Sequence, residues 1–185
     1  MRYSMLILAA AVFSTGLYAQ DADASVQALI RAYQGQKGKL LGGAQAMSDA
    51  DYTLKPGEGA RTFAEVVGHI ADAQAGTCGT VAGTPTQLNA ERGMKTKAEL
   101  VAALEKSFTL CDTAYTGTTA ANHDASTAAA FGGPQPRSAI LWNNVAHSEE
   151  MYGTMAVYLR IKGIVPPSTA ARANAGKGKG GGKGK

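Results

Sequence analysis

The chain reads as an all-α protein, a bundle of four helices. Three observations predict it. Apolar residues recur at three- and four-residue spacing in four separate stretches, the signature of helices with one buried face. Two Thr-x-x-Glu capping boxes, Thr62 with Glu65 and Thr96 with Glu99, mark helix starts. Gly163 can close the last helix in a left-handed cap, and Pro166–Pro167 keeps it from restarting. At 185 residues the chain suits one domain, and only 6% of it is aromatic, so the core must be Leu, Val, Ile, Ala and Met.

Residues 1–19 precede the bundle. They carry Arg2, the apolar run MLILAAAVF and a small-residue end at Leu17-Tyr18-Ala19. This is the layout of a secretory signal peptide cleaved after Ala19; the competing reading is a retained membrane anchor, for which the apolar run is short. The mature protein is then exported, to the periplasm in a Gram-negative cell, with no transmembrane segment left.

The first helix covers Asp21 to Met47, with Asp23 or Ser25 as its cap. Val26, Leu29, Ile30, Tyr33, Lys37 and Leu40–Leu41 form its stripe. Gly35, Gly38 and Gly42–Gly43 weaken it, by about 1 kcal/mol each relative to Ala where exposed. Ser48 to Ala60, punctuated by Pro56-Gly57 and Gly59, is a connection. The second helix starts after Thr62 and buries Phe63, Val66, Val67, Ile70, Gln74, Cys78 and Val81, with His69 at the inner edge of that face. Asp72, one turn on, is placed to hydrogen-bond an imidazole. After a loop from Gly83 to Gly93, the third helix buries Leu100, Leu104, Phe108, Cys111 and Tyr115. Thr116 to Arg137 is a long polar connection whose His123 has no partner at ligand spacing. The fourth helix runs from about Pro136 to Lys162. Residues 169–185, rich in Gly and Lys, lack apolar periodicity and read as a disordered cationic tail, with weak contact to anionic surfaces as its functional option.

The net charge of +4 is misleading. Arg2, Lys177, Lys179, Lys183 and Lys185 lie in the leader and tail, and without them the rest carries −1. A specific nucleic-acid surface is therefore excluded from the bundle. Export also changes how Cys78 and Cys111 read. In an oxidising compartment this pair on two helices can bridge; the alternative is two buried thiols.

Asn143 to Ser168 holds the candidate chemistry. His147 and Met151 stand four apart on one helical face, and Asn143 extends that face by a turn. A ligand pair one turn apart is half of a metal site, and His69 is the best candidate for the other half.

Two motifs carry a resemblance. His147-x-x-Glu150-x-Tyr152-Gly153 followed by Val157-Tyr-Leu-Arg160-x-x-Gly163-Ile-Val-Pro-Pro-Ser168 resembles the last core helix of the DinB-like (DinB/YfiT-like) family. Arg61-Thr-Phe-Ala-Glu-Val-Val-Gly-His69-Ile-Ala-Asp-Ala73 resembles its second helix. The match spans roughly residues 24–168. It implies a four-helix bundle with a distinctive helix order, often a homodimer, in which three histidines hold a divalent ion, commonly zinc or nickel. His69 matches the first histidine and His147 the second. Met151 stands where the third would be. A thioether is a poor ligand for zinc or nickel and a better one for Cu(I). Two rescues are open: Glu150 supplies a carboxylate, or Met151 selects copper. Otherwise the site has decayed, and the histidines donate to Asp72, Asn143 or backbone carbonyls.

Some relatives of this kind are metal-dependent thiol S-transferases. The expectation here is instead an exported bundle with a degenerate His-His-Met site, non-catalytic or weakly metal-binding. The alternative is a thiol S-transferase or hydrolase using His69, His147 and Glu150. Tyr152 is a candidate for a position near the metal, Tyr158 and Arg160 for a structural pair, and Trp142 for a core or interface anchor.

Overall fold

The computed structural model describes residues 3–129 and 132–180. In chain order the elements are α1 (Tyr3–Ala46), a 3-10 turn (Ala50–Thr53), α2 (Phe63–Val81), the single turn α3 (Ala90–Gly93), α4 (Lys97–Thr116), the two-residue strands β1 (Ser126–Thr127) and β2 (Gln135–Pro136), α5 (Arg137–Ile161) and α6 (Pro167–Gly180). The four helices expected from periodicity are α1, α2, α4 and α5.

Both capping boxes form. The Thr62 hydroxyl accepts from the Glu65 amide and the Glu65 carboxylate accepts from the Thr62 amide; Thr96 and Glu99 repeat the pattern on α4. Each helix start thereby satisfies two amides that would lack intrahelical partners. Gly163, at φ 71°, closes α5 in the left-handed conformation.

Cross-helix contacts fix the topology. Lys97 Nζ, at the start of α4, donates to Met47 O just past the end of α1, and Tyr33 on α1 reaches Asp112 on α4, so the two are antiparallel. Cys78 bonds Cys111, and Arg137 donates to both Val81 O and Ala114 O, so α2 and α4 run parallel. The Tyr158 hydroxyl donates to Arg61 O near the start of α2, which makes α5 antiparallel to α2. Lys39 pairs with Glu149, and Gly43 packs on Met155, so α1 and α5 are parallel. The order is up, down, down, up.

This topology explains the connections. Parallel α2 and α4 require residues 82–96 to return along the length of α2. Two glycines let that segment lie flush. A methyl at Gly68 would stand 2.5 Å from Glu91 Cα, and one at Gly79 would stand 2.7 Å from Thr84 O. The next connection, by contrast, starts and ends at one end of the bundle, where Arg137 donates to Thr118 Oγ1 and Ala114 O. The short antiparallel β1–β2 pair closes this excursion.

Several expectations are corrected. The helix α1 is continuous from Tyr3, so neither Asp23 nor Ser25 begins it. Its glycines do not shorten it: Gly43 admits Met155, and Gly42 lies against Pro167. Pro167 does not forbid a further helix but opens α6, because a proline at the first helical position loses no intrahelical bond. The tail is therefore helical from Pro167 to Gly180, while residues 181–185 lie outside the described residues. Trp142 is 41% exposed, so of its two readings, core or interface anchor, the core one falls. Among the described residues no helix is long and apolar enough to cross a membrane.

Candidate functional site

Antiparallel packing of α2 on α5 brings the two predicted histidines together. His69 Nε2 and His147 Nε2 are 3.3 Å apart, with ring centroids at 5.3 Å. Neither histidine is fully buried. Both line one end of a cleft of about 840 Å³ between α2, α5, the 83–89 loop and the β1–β2 excursion.

The other nitrogen of His69 is fixed from the returning connection. His69 Nδ1 is 3.0 Å from Glu91 Oε2, and Glu91 Oε1 accepts from Arg61 Nε at 2.7 Å. Burial by itself would raise the Glu91 carboxyl, but hydrogen bonds and positive charge from Arg61 and His69 outweigh it and hold Glu91 below the usual carboxylate range. An ionised Glu91 can only accept, so Nδ1 of His69 carries a proton. Arg61 Nη2 approaches the same Nδ1 at 3.4 Å, longer than the Glu91 contact and between two donors, so it is a near-neighbour rather than a bond. In neutral His69 the lone pair is then on Nε2, aimed at His147. Burial lowers the His147 pKa most, and the neighbouring His69 lowers it further; Glu150 opposes them, and Arg61 adds the smallest lowering. Two lone pairs cannot face each other at 3.3 Å. A proton on one of the nitrogens or a cation between them has to bridge the contact.

Not every expected site residue joins them. Met151 is 7% exposed and belongs to the hydrophobic core, outside the cleft lining. Glu150 is exposed and also outside that lining. Asp72 does line the cleft, but both its oxygens accept backbone N–H groups, from Ala90 at 2.8 Å and Glu91 at 3.0 Å. It therefore anchors α3, and the imidazole partner expected of it is Glu91 instead. Sequence spacing could not expose Glu91, since it reaches His69 through the return of the chain. Tyr152 points away from the cleft and exchanges hydrogen bonds with Ser168 at the start of α6. Tyr158 and Arg160 do not pair: Tyr158 bonds Arg61 O, and Arg160 bonds Ala156 O in its own helix. His123 pairs with its neighbour Asp124.

The two cysteines stand at disulfide distance, Sγ to Sγ 2.00 Å, and join α2 to α4. Beside them is a buried polar layer. Gln74 donates to Ser148 Oγ at 2.8 Å, and the Tyr115 hydroxyl sits 2.9 Å from both Leu141 O and Asn144 Oδ1. Asn144 belongs to this layer and to the cleft floor.

Two imidazole nitrogens bound to one tetrahedral zinc at about 2.05 Å would stand about 3.3 Å apart, the separation observed here. These two residues fit half of such a site. Among the described residues, no three or more His, Cys, Asp or Glu side chains are grouped to hold a metal.

Comparison with known proteins agrees with this architecture. A crystallised DinB-like protein from Bacillus cereus superposes with a TM-score of 0.65 at 16% identity, covering 76% of this chain and 95% of that one. At that identity the likeness bears on the fold alone. No curated protein matches the chain. The DinB superfamily matches residues 32–155, from the middle of α1 to most of α5. The chain belongs to the DinB superfamily.

Proposed function

We propose that this chain is an exported, weakly metal-binding member of the DinB superfamily, without turnover of its own. His69 and His147 together hold a divalent ion, zinc or nickel, and no third side chain joins them. The observation that carries this reading is the 3.3 Å approach of two Nε2 atoms, one of them with its lone pair set by Glu91. Two neutral imidazoles suit borderline divalent ions. Two protein ligands leave the remaining positions to solvent or to a bound molecule. Affinity is accordingly lower than at closed four-ligand sites. Copper through Met151 gains no support, since that thioether lies in the core. Enzymatic use of Glu150 gains little, since that carboxylate is exposed and outside the cleft lining. Export rests on the leader at residues 1–19.

The test is calorimetric titration of metal-free mature protein with zinc and with nickel. One equivalent should bind, and His147→Ala or His69→Ala should abolish binding. Binding that survives both substitutions, or no binding by the parent protein, overturns the proposal.

A further inference from the structure

The cleft extends well beyond the histidines, and its chemistry is narrow. Four carboxamides line it: Gln87, Gln135, Asn143 and Asn144, with the Thr77 hydroxyl among them. Among the described residues neither lysine nor arginine is part of that lining. Its one acid, Asp72, has both oxygens taken up by backbone N–H groups. The Arg61 guanidinium, beside His69, is tied to Glu91.

Asn144 sharpens the picture. It is only 4% exposed, and one end of its amide is held at 2.9 Å by the Tyr115 hydroxyl. Among the described residues the other end has no hydrogen-bond partner, although Asn144 forms part of the cleft wall. This end is not among the buried polar atoms that lack partners, so it reaches the open cleft, where it can donate to a bound molecule.

From these features we infer that the cleft takes an uncharged, amide-bearing small molecule. A carboxamide offers a donor and an acceptor side by side, the complement of another amide. In the metal-free cleft an anion would lose hydration with no lysine or arginine among the described lining residues to replace it, which is costly. This inference rests on the cleft being the functional site, as the metal reading does, but it needs no metal.

The experiment uses two probes of one shape: N-acetyl-Ala-Ala amide and the free acid N-acetyl-Ala-Ala. Each is titrated into metal-free, isotope-labelled mature protein with a chelator present, and binding is followed by chemical-shift changes. The amide should bind saturably and shift the Asn144 side-chain signals. The free acid should bind at least about tenfold more weakly. Asn144→Ala and Gln87→Ala should each weaken the amide about 3- to 10-fold, the loss of one hydrogen bond. Gln87 is exposed on a loop, so its variant decides the matter even where Asn144→Ala fails to fold. Equal or tighter binding of the acid, no saturable binding of the amide, or unchanged affinity in the folded variants overturns the inference. Because chelator is present, a failure of the metal proposal leaves this result unaffected, and the zinc titration reports that failure separately.

Discussion

The α2–α4 half of the bundle and the α1–α5 half are held together by different means. The first is stapled covalently through Cys78–Cys111 and bridged by Arg137, which donates to backbone carbonyls of both helices. The second has no staple among the described residues. It relies on the close approach of Met155 at Gly43, with the Lys39–Glu149 ion pair at the surface. The histidine pair takes one residue from each half. Site geometry thus depends on how the halves dock, while the staple sets how long the fold survives. Parallel helices such as α2 and α4 cannot be joined by a short turn, and their long connection became useful by delivering Glu91.

The sharpest way to break this contrast is to remove the staple. Cys78→Ala with Cys111→Ala should lower stability by on the order of 3–4 kcal/mol, given the 33-residue separation of the bonded pair. Denaturant unfolding measures it, and reducing agent should produce the same loss in the parent protein. Zinc affinity of the folded fraction should hardly change. A large loss of affinity without loss of stability would mean that the staple serves the site.

Next in size are the glycines. Gly43→Ala drives a methyl into Met155, and Gly68→Ala drives one into the Glu91 backbone. Each should cost about 1–3 kcal/mol from overpacking. They should differ in the site: Gly68→Ala displaces Glu91 from His69, whereas Gly43→Ala leaves that contact in place. Equal effects of the two on metal affinity would contradict the division of labour.

Glu91 itself comes third. Loss of the partner that orients a ligating imidazole typically costs 10- to 100-fold in metal affinity, and Glu91→Ala should fall near ~10-fold because the carboxylate is partly solvated. Glu91→Gln keeps an acceptor for Nδ1 and should recover part of it. Nitrogen chemical shifts of the metal-free protein should show His69 protonated at Nδ1 in the parent and a tautomer mixture in Glu91→Ala.

The smallest effect is on pH. His147 has its pKa lowered below 6.5 in the folded protein, chiefly by burial. The unfolded chain therefore binds a proton there before the folded chain does. Stability of the metal-free protein should be full above pH 6.5 and decline as pH falls through the lowered value. His147→Gln should flatten that slope between pH 8 and 5 in denaturant melts. An unchanged slope would assign the acid sensitivity elsewhere.

Much of the bundle was legible in residue order. Helix starts at Thr62 and Thr96 were readable because capping is local chemistry within four residues. The buried stripes were readable because helical period is local too. The errors have a common origin. Asp72 stood one turn from His69, and spacing alone favoured it, but the returning chain claimed both its oxygens for α3. Met151 stood one turn from His147, yet helix rotation turned it into the core. Gly42 and Gly43 looked like weak points in α1, and packing made them points of contact with Pro167 and Met155.

The amino-acid sequence on its own determined where helices begin, which faces they bury and which two imidazoles were candidates to meet, since each depends on neighbours within a turn or two. Only the tertiary structure decided that His69 meets His147 at 3.3 Å and that Glu91 holds the first of them. Those contacts join residues 78 and 22 positions apart, and their distances follow from helix order and docking, which no local pattern encodes.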